Sequence, residues 1–155
     1  MAGFQLRSPA FADGAPVPVR HTCEGEDLSP PLVWSEAPAG TRGFALLCDD
    51  PDAPAGTWHH WALFDIPATT SRLDEGVPEA EMAGVMRQAV NDFGRFGYGG
   101  PCPPRGHGVH HYHFRLLALA VPSLGLTGRV RCAEVARAAR AHVLATAELV
   151  GAFRR

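Results

Sequence analysis

The sequence lacks the features by which several large classes of protein are recognised. The formal net charge is -2, so no overall positive field exists to hold nucleic acid or an anionic membrane. No apolar run approaches the roughly 20 residues that a membrane helix needs. The first residues also lack the basic stretch and apolar run of a secretory signal. We therefore expect no nucleic-acid partner, no membrane-spanning segment and a cytoplasmic location.

Cysteine is scarce, and lysine is absent. All 14 basic residues are arginine, which is typical of a GC-rich bacterial genome. The four cysteines lie far apart and form no C-x-x-C pair; they are Cys23, Cys48, Cys102 and Cys132. An even number would permit two disulfide bonds, but a reducing cytoplasm favours free thiols. We therefore expect all four cysteines to be free.

The residues that are present predict one globular domain over residues 1–155. Hydrophobic residues make up 46% of the chain and charged residues 19%, and glycine and proline are spread along it without a break. The apolar runs are short and end in turn residues; they cover 32–34, 44–48, 58–66 and 112–121. This spacing is typical of strands in an antiparallel sandwich or barrel.

One segment, from about 133 to 153, has apolar residues at intervals of three and four, which predicts a helix. A shorter helix is also considered within residues 78–88. The fold class expected from the residues is mainly β, with a C-terminal α-helix packed against the strands.

Histidine is concentrated in two segments, residues 49–61 and 97–113, which hold six of the eight histidines. Strand alternation places Trp58, His60, Ala62 and Phe64 on one face, and His110, Tyr112 and Phe114 on one face of the later strand. One histidine from each segment would then meet Asp50 at the end of an apolar wall. We interpret this arrangement as a small polar pocket.

Proline and glycine shape the loops around that pocket. Proline lacks the backbone N–H that a central strand needs, so Pro101-Cys-Pro-Pro104 and Asp50-Pro-Asp-Ala-Pro54 are expected to form rigid loops at its rim. The sequence leaves the cis or trans state of these prolines open. The neighbouring glycines would let backbone N–H groups point into the pocket and bind an anion.

The other histidines and the tryptophans have simpler interpretations. His59, His111 and His113 are expected at strand edges or on the surface, and His21 and His142 are expected to be structural. Asp52 is expected to cap the turn of its own loop. Trp34 and Trp61 are assigned to the core.

Three enzymatic alternatives were weighed against a binding role. A metal hydrolase would use two histidines and a carboxylate, but no H-E-x-x-H or H-x-x-E-H motif occurs. A serine hydrolase would need a G-x-S-x-G elbow, which is also missing. Cys102 near His110 could form a nucleophile pair, but its flanking prolines favour a structural role. We therefore predict a binding protein and not an enzyme, with no catalytic residue, metal or cofactor.

At these segments the chain resembles the phosphatidylethanolamine-binding protein family, in its bacterial Raf-kinase-inhibitor-like branch. The central matches are Asp50-Pro-Asp-Ala-Pro54, Trp58-His-His-Trp61, and Gly99-Gly-Pro-Cys-Pro-Pro-Arg-Gly-His-Gly-Val-His110 leading to Tyr112. Further matches, including 21–34, 91–94 and 142–151, extend the resemblance over nearly the whole chain. It departs at His111, where the family usually has arginine, and at Ala141, where it usually has glycine.

The resemblance implies an antiparallel β-sandwich with a C-terminal helix and an anion pocket for phosphate-like groups, such as a phosphoethanolamine head group. The pocket would fall on Asp50, Pro54, Trp58, His60, Cys102 (through its backbone), Pro103, His110 and Tyr112. The expected ligand is a phosphate-like or phospholipid head group. A protein partner, through regulation of a kinase or protease, is the alternative, and bacterial relatives often pair as homodimers.

Overall fold

Strands dominate residues 3–155, the part of the chain that the computed structural model describes. The strands are β1 Gln5–Arg7, β2 Leu32–Ser35, β3 Gly43–Asp50, β4 Trp58–Pro67, β5 Arg72–Leu73, β6 Met82–Ala83, β7 Met86–Gln88, β8 His110–Leu119 and β9 Val143–Phe153. The helix α1 is Cys132–Ala139, and two short 3-10 helices are Val19–His21 and Arg140–His142. The four apolar runs predicted as strands correspond to β2, β3, β4 and β8.

The strands form two antiparallel sheets, which confirms the predicted sandwich. The smaller sheet has the order β1-β2-β5, and the larger has the order β6-β7-β4-β3-β8-β9. The main apolar core lies between them, and Trp34 of the smaller sheet packs edge-on against Phe44 of the larger at 5.6 Å between ring centres. Trp34 and Trp61 are both buried, as expected.

A second apolar cluster covers the opposite face of the larger sheet. Ala62, Phe64 and Leu117 of that sheet pack with Val135 and Ala139 of α1. Since both faces of the central strand β3 are covered, its sequence is apolar almost throughout and does not alternate. The helix begins where the Glu134 carboxylate accepts a hydrogen bond from the backbone N–H of Arg131, at 3.4 Å.

The C-terminal helix is shorter than the sequence predicted. It ends at Ala139, and the strand β9 takes up most of the segment 133–153. In β9 the buried Ala147 and Leu149 flank the exposed Glu148, a period of two that short apolar segments can share with helical spacing. Pairing with the ten-residue strand β8 stabilises the extended form over a helix, because tertiary contacts outweigh weak local propensities.

The shorter helix considered within residues 78–88 is also wrong. That segment forms the strands β6 and β7, joined by a turn in which Gly84 has a φ of +63°. A left-handed backbone of this kind is favourable for glycine and interrupts a helix. In residues 3–155 no helix has the length and apolar character needed to cross a membrane.

Candidate functional site

Three neighbouring strands of the larger sheet bring polar residues to the same edge. β3 ends at Asp50, β4 begins at Trp58 and β8 begins at His110. Because β4 and β8 both run antiparallel to β3, these three strand ends lie side by side. The loops 51–57 and 89–109 continue from the same edge and enclose the space beyond it.

This space is a cavity of about 200 Å³. All eight residues predicted to bind a ligand line it: Asp50, Pro54, Trp58, His60, Cys102, Pro103, His110 and Tyr112. The structure adds three lining residues that sequence reasoning missed, namely Ala53, Phe93 and Pro104. Their convergence is now a structural fact, whereas their role in binding stays a prediction.

Asp50 and His110 form a buried pair at the base of the cavity. The distance between Oδ2 of Asp50 and Nδ1 of His110 is 2.6 Å, and the two residues are 3% and 2% exposed. The other carboxylate oxygen of Asp50 accepts a hydrogen bond from the backbone N–H of Asp52 at 2.8 Å. Because both oxygens are engaged, Asp50 fixes the orientation of the His110 ring.

His60 reaches the cavity through a β-bulge. The pairing of β3 with β4 shifts between Cys48 opposite Trp61 and Asp49 opposite His59, which leaves His60 as the extra residue. A bulge redirects a side chain, and here it directs the His60 ring against Tyr112 at 5.2 Å between ring centres. The predicted common face of Trp58, His60, Ala62 and Phe64 is therefore wrong, since Ala62 and Phe64 pack on the helix side.

His60 is neutral in this environment. Its Nδ1–H donates a hydrogen bond of 2.6 Å to the carbonyl oxygen of Gly99, and burial lowers the pKa of the imidazole below its ordinary value. With the proton on Nδ1, the other ring nitrogen carries a lone pair. His60 can therefore accept a hydrogen bond from a protonated oxygen or an ammonium group.

Tyr112 and Trp58 contribute donors that the protein leaves unpaired. Within residues 3–155, neither the Tyr112 hydroxyl nor Nε1 of Trp58 has a hydrogen-bond partner, although both atoms are buried. Burial also raises the pKa of Tyr112, so its hydroxyl is protonated at neutral pH. Buried polar groups are rarely left without a partner, and the two residues that carry these groups line the cavity.

A disulfide bond holds one wall of the cavity. Cys102 is joined to Cys23 with a Cα–Cα distance of 5.4 Å, so the expectation of free thiols is wrong for this pair. That expectation rested on the reducing cytoplasm, and the sequence separation of 79 gave no sign that the two cysteines are close in space. Cys48 and Cys132 are free and buried.

The N–H groups of Gly99 and Gly100 are engaged within the protein, so anion binding by other backbone N–H groups of this wall, such as that of Cys102, stays a prediction. The N–H of Gly99 donates to the carbonyl of His60, and that of Gly100 donates to the carboxylate of Asp27 at 2.8 Å. These groups stabilise the loop from within. The Nε–H of Arg155 further holds the loop by donating to the carbonyl of Pro103 at 2.8 Å. Every described peptide bond is trans, including those of the cavity prolines.

Sequence reasoning also missed His107, an exposed residue beside the cavity. Its Nδ1 lies 2.6 Å from Nε2 of His110. His107 stands three residues before His110 in a turn with glycine on either side, a spacing that could have suggested contact. The histidines predicted to lie outside the pocket do not line it: His111 pairs with Asp52 and His113 with Glu148.

Buried His21 donates from Nδ1 to the carbonyl of Leu28 at 2.9 Å, in keeping with its structural assignment. The sequence predicts that Asp52 caps the turn of its own loop. In the structure its carboxylate accepts hydrogen bonds from the backbone N–H and the ring Nδ1 of His111, which lies outside that loop. In residues 3–155, no three His, Cys, Asp or Glu side chains are grouped so as to hold a metal ion.

Comparison with known proteins agrees with this architecture. Residues 7–154 match the family model described as "Phosphatidylethanolamine-binding protein". The chain is 45% identical over 152 residues to a "UPF0098 protein" of Aquifex aeolicus, covering 98% of this chain and 89% of the relative. It is 43% identical over 153 residues to the "Putative lipoprotein LppC" of Mycobacterium tuberculosis, covering 96% and 71%.

A solved structure is similar over the full length. The crystal structure of Escherichia coli YbcL, described as a new member of the mammalian PEBP family, superposes with a TM-score of 0.90. The two chains are 34% identical, and the match covers 99% of each.

Proposed function

Because this chain belongs to the phosphatidylethanolamine-binding protein family, we propose that its cavity binds a phosphate-like group, such as a phosphoethanolamine head group. Family membership supports a ligand-binding or regulatory protein in general. The narrower assignment comes from the cavity, where four polar side chains and a rigid proline loop meet in a space of about 200 Å³. A space of this size suits a small head group.

The observation that carries the proposal is the pair of unpaired donors. Tyr112 and Trp58 line the cavity, and among residues 3–155 neither the Tyr112 hydroxyl nor Nε1 of Trp58, both buried, has a hydrogen-bond partner. Leaving such a group unpaired costs about 1–3 kcal/mol, a cost that a bound acceptor removes. Phosphate oxygens are strong acceptors, and hydrogen bonds to charged groups are stronger than neutral ones.

The acceptors of the cavity set a further condition on the ligand. The Asp50 carboxylate and the neutral His60 ring present lone pairs, and an unprotonated phosphate alone would be repelled by the carboxylate. A ligand that brings its own donor, such as a P–O–H group or the ammonium of phosphoethanolamine, satisfies both kinds of group. We therefore rank phosphoethanolamine, which brings an ammonium group, and inorganic phosphate, which carries a P–O–H group at neutral pH, above sulfate, which has no donor.

The proposed activity is recognition without turnover. In this proposal the cavity residues bind and orient the ligand, and the sulfur of Cys102 is not available as a nucleophile because it is in a disulfide bond. A cytoplasmic location stays a prediction, since one relative is named a putative lipoprotein. A protein partner and a homodimer likewise stay predictions.

Backbone NMR titration with phosphate, phosphoethanolamine and a short-chain phosphatidylethanolamine tests the proposal. We expect saturable shifts around Asp50, His60 and His110, and their loss in His60→Ala. His59→Ala is the matched control, because His59 precedes His60 in the same strand and does not line the cavity. If no shifts appear at millimolar ligand, the anion site is refuted and the alternative of a protein partner gains support.

A further inference from the structure

His107 extends the buried Asp50–His110 pair to the protein surface. His110 lies between two partners, with Asp50 at 2.6 Å from Nδ1 and His107 at 2.6 Å from Nε2. His110 is buried, whereas His107 is exposed. The three side chains therefore form a hydrogen-bond chain from the base of the cavity to solvent.

The protonation of Asp50, His110 and His107 determines which group donates in each of the two hydrogen bonds between them. An ionised Asp50 only accepts, so the Nδ1–H of His110 donates to it. When His110 is neutral, its Nε2 accepts, and the Nδ1–H of His107 is the donor. His107 then carries a lone pair on Nε2, at the exposed end of the chain. This atom can take a proton without breaking either hydrogen bond.

The local backbone holds His107 in this position. Gly106 and Gly108 have φ values of +76° and +100°, and the N–H of His107 donates to the carbonyl of Pro104 at 3.1 Å. Left-handed backbone at both neighbours, which glycine adopts readily, folds the loop back so that the two rings stack edge-on at 4.8 Å. Pro104 and His110 line the cavity, and His107 is connected to it through its contact with His110.

The charged and titratable groups around this chain come from several elements. Asp50 ends β3, Asp52 follows it, His60 lies on β4, Tyr112 lies on β8, and Arg155 reaches the proline loop from the C-terminus. Asp52 is engaged with His111, and His60 and Tyr112 are neutral. Among these groups, His107 is the exposed imidazole at the end of the hydrogen-bond chain that begins at Asp50 and passes through His110.

We propose that His107 belongs to the ligand site and takes up a proton from solvent when an anion binds in the cavity. The proposal rests on the anion site proposed above. A new N–H bond forms at Nε2 of His107, and the proton is supplied by water or buffer. The imidazolium adds a positive charge at the rim, partly balancing the negative charge of Asp50, and attracts the anion. His107 is thus a positioning and charge-supplying residue, and it acts through His110.

The test is calorimetry with sulfate, which does not itself titrate near neutral pH. Measuring the binding heat in two buffers of different ionisation enthalpy gives the number of protons taken up. His107→Gln keeps a donor for Nε2 of His110 but cannot titrate, whereas His107→Ala removes both functions. His111→Gln is the control, because His111 is an exposed histidine of the same region whose ring is hydrogen-bonded to Asp52, whereas the ring of His107 contacts His110.

We expect proton uptake in the wild type and in His111→Gln, and less uptake in both His107 variants. Sulfate affinity should fall roughly two- to fivefold in His107→Gln, the range for a partly exposed charge pair. Nitrogen-15 shifts of the His110 ring should change in His107→Ala and stay near wild type in His107→Gln.

Three outcomes would contradict this account. Sulfate binding with the same proton uptake in wild type and His107→Gln would overturn the role of His107 alone, because another group would then take the proton. Binding of phosphoethanolamine without binding of sulfate would also overturn the role of His107 alone, because proton uptake there would then not offset the charge of Asp50. If neither sulfate nor phosphoethanolamine binds the wild type, the proposed function is overturned, and this inference with it.

Discussion

The Tyr112 hydroxyl is expected to decrease the stability of the free protein and to increase the affinity for a ligand. It is buried and has no hydrogen-bond partner in the described part of the chain, so it lowers the stability of the free protein, and its residue lines the cavity. We predict that Tyr112→Phe raises the free energy of unfolding by up to about 1 kcal/mol and weakens phosphoethanolamine binding about two- to tenfold. Urea denaturation and calorimetry check the two effects. A variant that is less stable yet binds normally would show that the hydroxyl is structural.

His60 gives the protein a pH dependence of predictable sign. Burial lowers its pKa, whereas an unfolded histidine titrates near ~6.5. As the pH falls below that value, the unfolded chain takes up a proton that the folded site resists, so stability is lost toward acid. We predict a smaller loss of unfolding free energy in His60→Asn than in the wild type, from about pH 7.5 to about pH 5.5. Equal losses in the two proteins would mean that His60 is not held neutral.

At the residue scale, the sequence allowed Asp50, His60 and His110 to be predicted as neighbours. For His110 the reasoning was sound, because simple alternation along β8 places it with Tyr112. His60 lies in the cavity as predicted, although the predicted set of residues on its face of the strand was wrong. The position of its side chain depends on a bulge in the pairing with β3, and the sequence of β4 alone does not reveal that bulge. His107 was missed because its contact depends on the conformation of a glycine turn.

Among the elements, the loop 99–104 depends most on one residue type. A Cβ atom added at Gly100 would lie 2.4 Å from both the Asp27 carboxylate and the carbonyl oxygen of His21. The backbone of this loop cannot move away easily, because the N–H of Gly100 donates to the same carboxylate. Gly100 is therefore required by space and not by its backbone angles.

We predict that Gly100→Ala lowers the free energy of unfolding by about 1–3 kcal/mol, the usual cost of overpacking. It should also weaken phosphoethanolamine binding, because the displaced loop forms a cavity wall. Gly3→Ala, where an added Cβ meets no atom within 4 Å, controls for the general effect of the exchange. Chemical denaturation of both variants is the measurement. Equal stability of Gly100→Ala and Gly3→Ala would show that the loop yields without cost.

The C-terminal segment shows the limit of periodicity at the scale of elements. The residues of α1 and of β9 are both rich in alanine, and alanine favours helix in isolation. Pairing with the strand β8 on one side, and backbone hydrogen bonds with residues 14–17 on the other, explain why Val143–Phe153 is extended. Elements whose partners are distant in sequence are therefore predicted less well than those, such as β4, that carry a long apolar run.

For the molecule as a whole, the two-sheet architecture was predictable from short apolar runs with turn residues between them, together with the family motifs. The disulfide was not predictable, because the spacing of Cys23 and Cys102 contains no pairing information. The expectation of free thiols came instead from the assumed reducing cytoplasm. The bond is compatible with an oxidising location. It is also compatible with an intracellular protein of a thermophile, in which disulfides are common.

The same bond connects two parts of the molecule that contain little regular structure. It joins the segment around the 3-10 helix Val19–His21 to the cavity loop, across 79 residues of sequence. Closing so long a loop restricts the unfolded chain, which typically contributes about 2–4 kcal/mol. The stability of the fold and the shape of the cavity therefore depend on one oxidation state.

We predict that reduction by a dithiol lowers the free energy of unfolding by about 2–4 kcal/mol and weakens phosphoethanolamine binding, because Cys102 lines the cavity. The reaction transfers two electrons and two protons to the cystine and leaves two thiols. The double variant Cys23→Ala, Cys102→Ala should resemble the reduced protein and should not respond to dithiol, since Cys48 and Cys132 are already free. If denaturation is unchanged in reduced wild type, the hydrogen bonds around Gly100 and Pro103 hold this wall without the covalent bond.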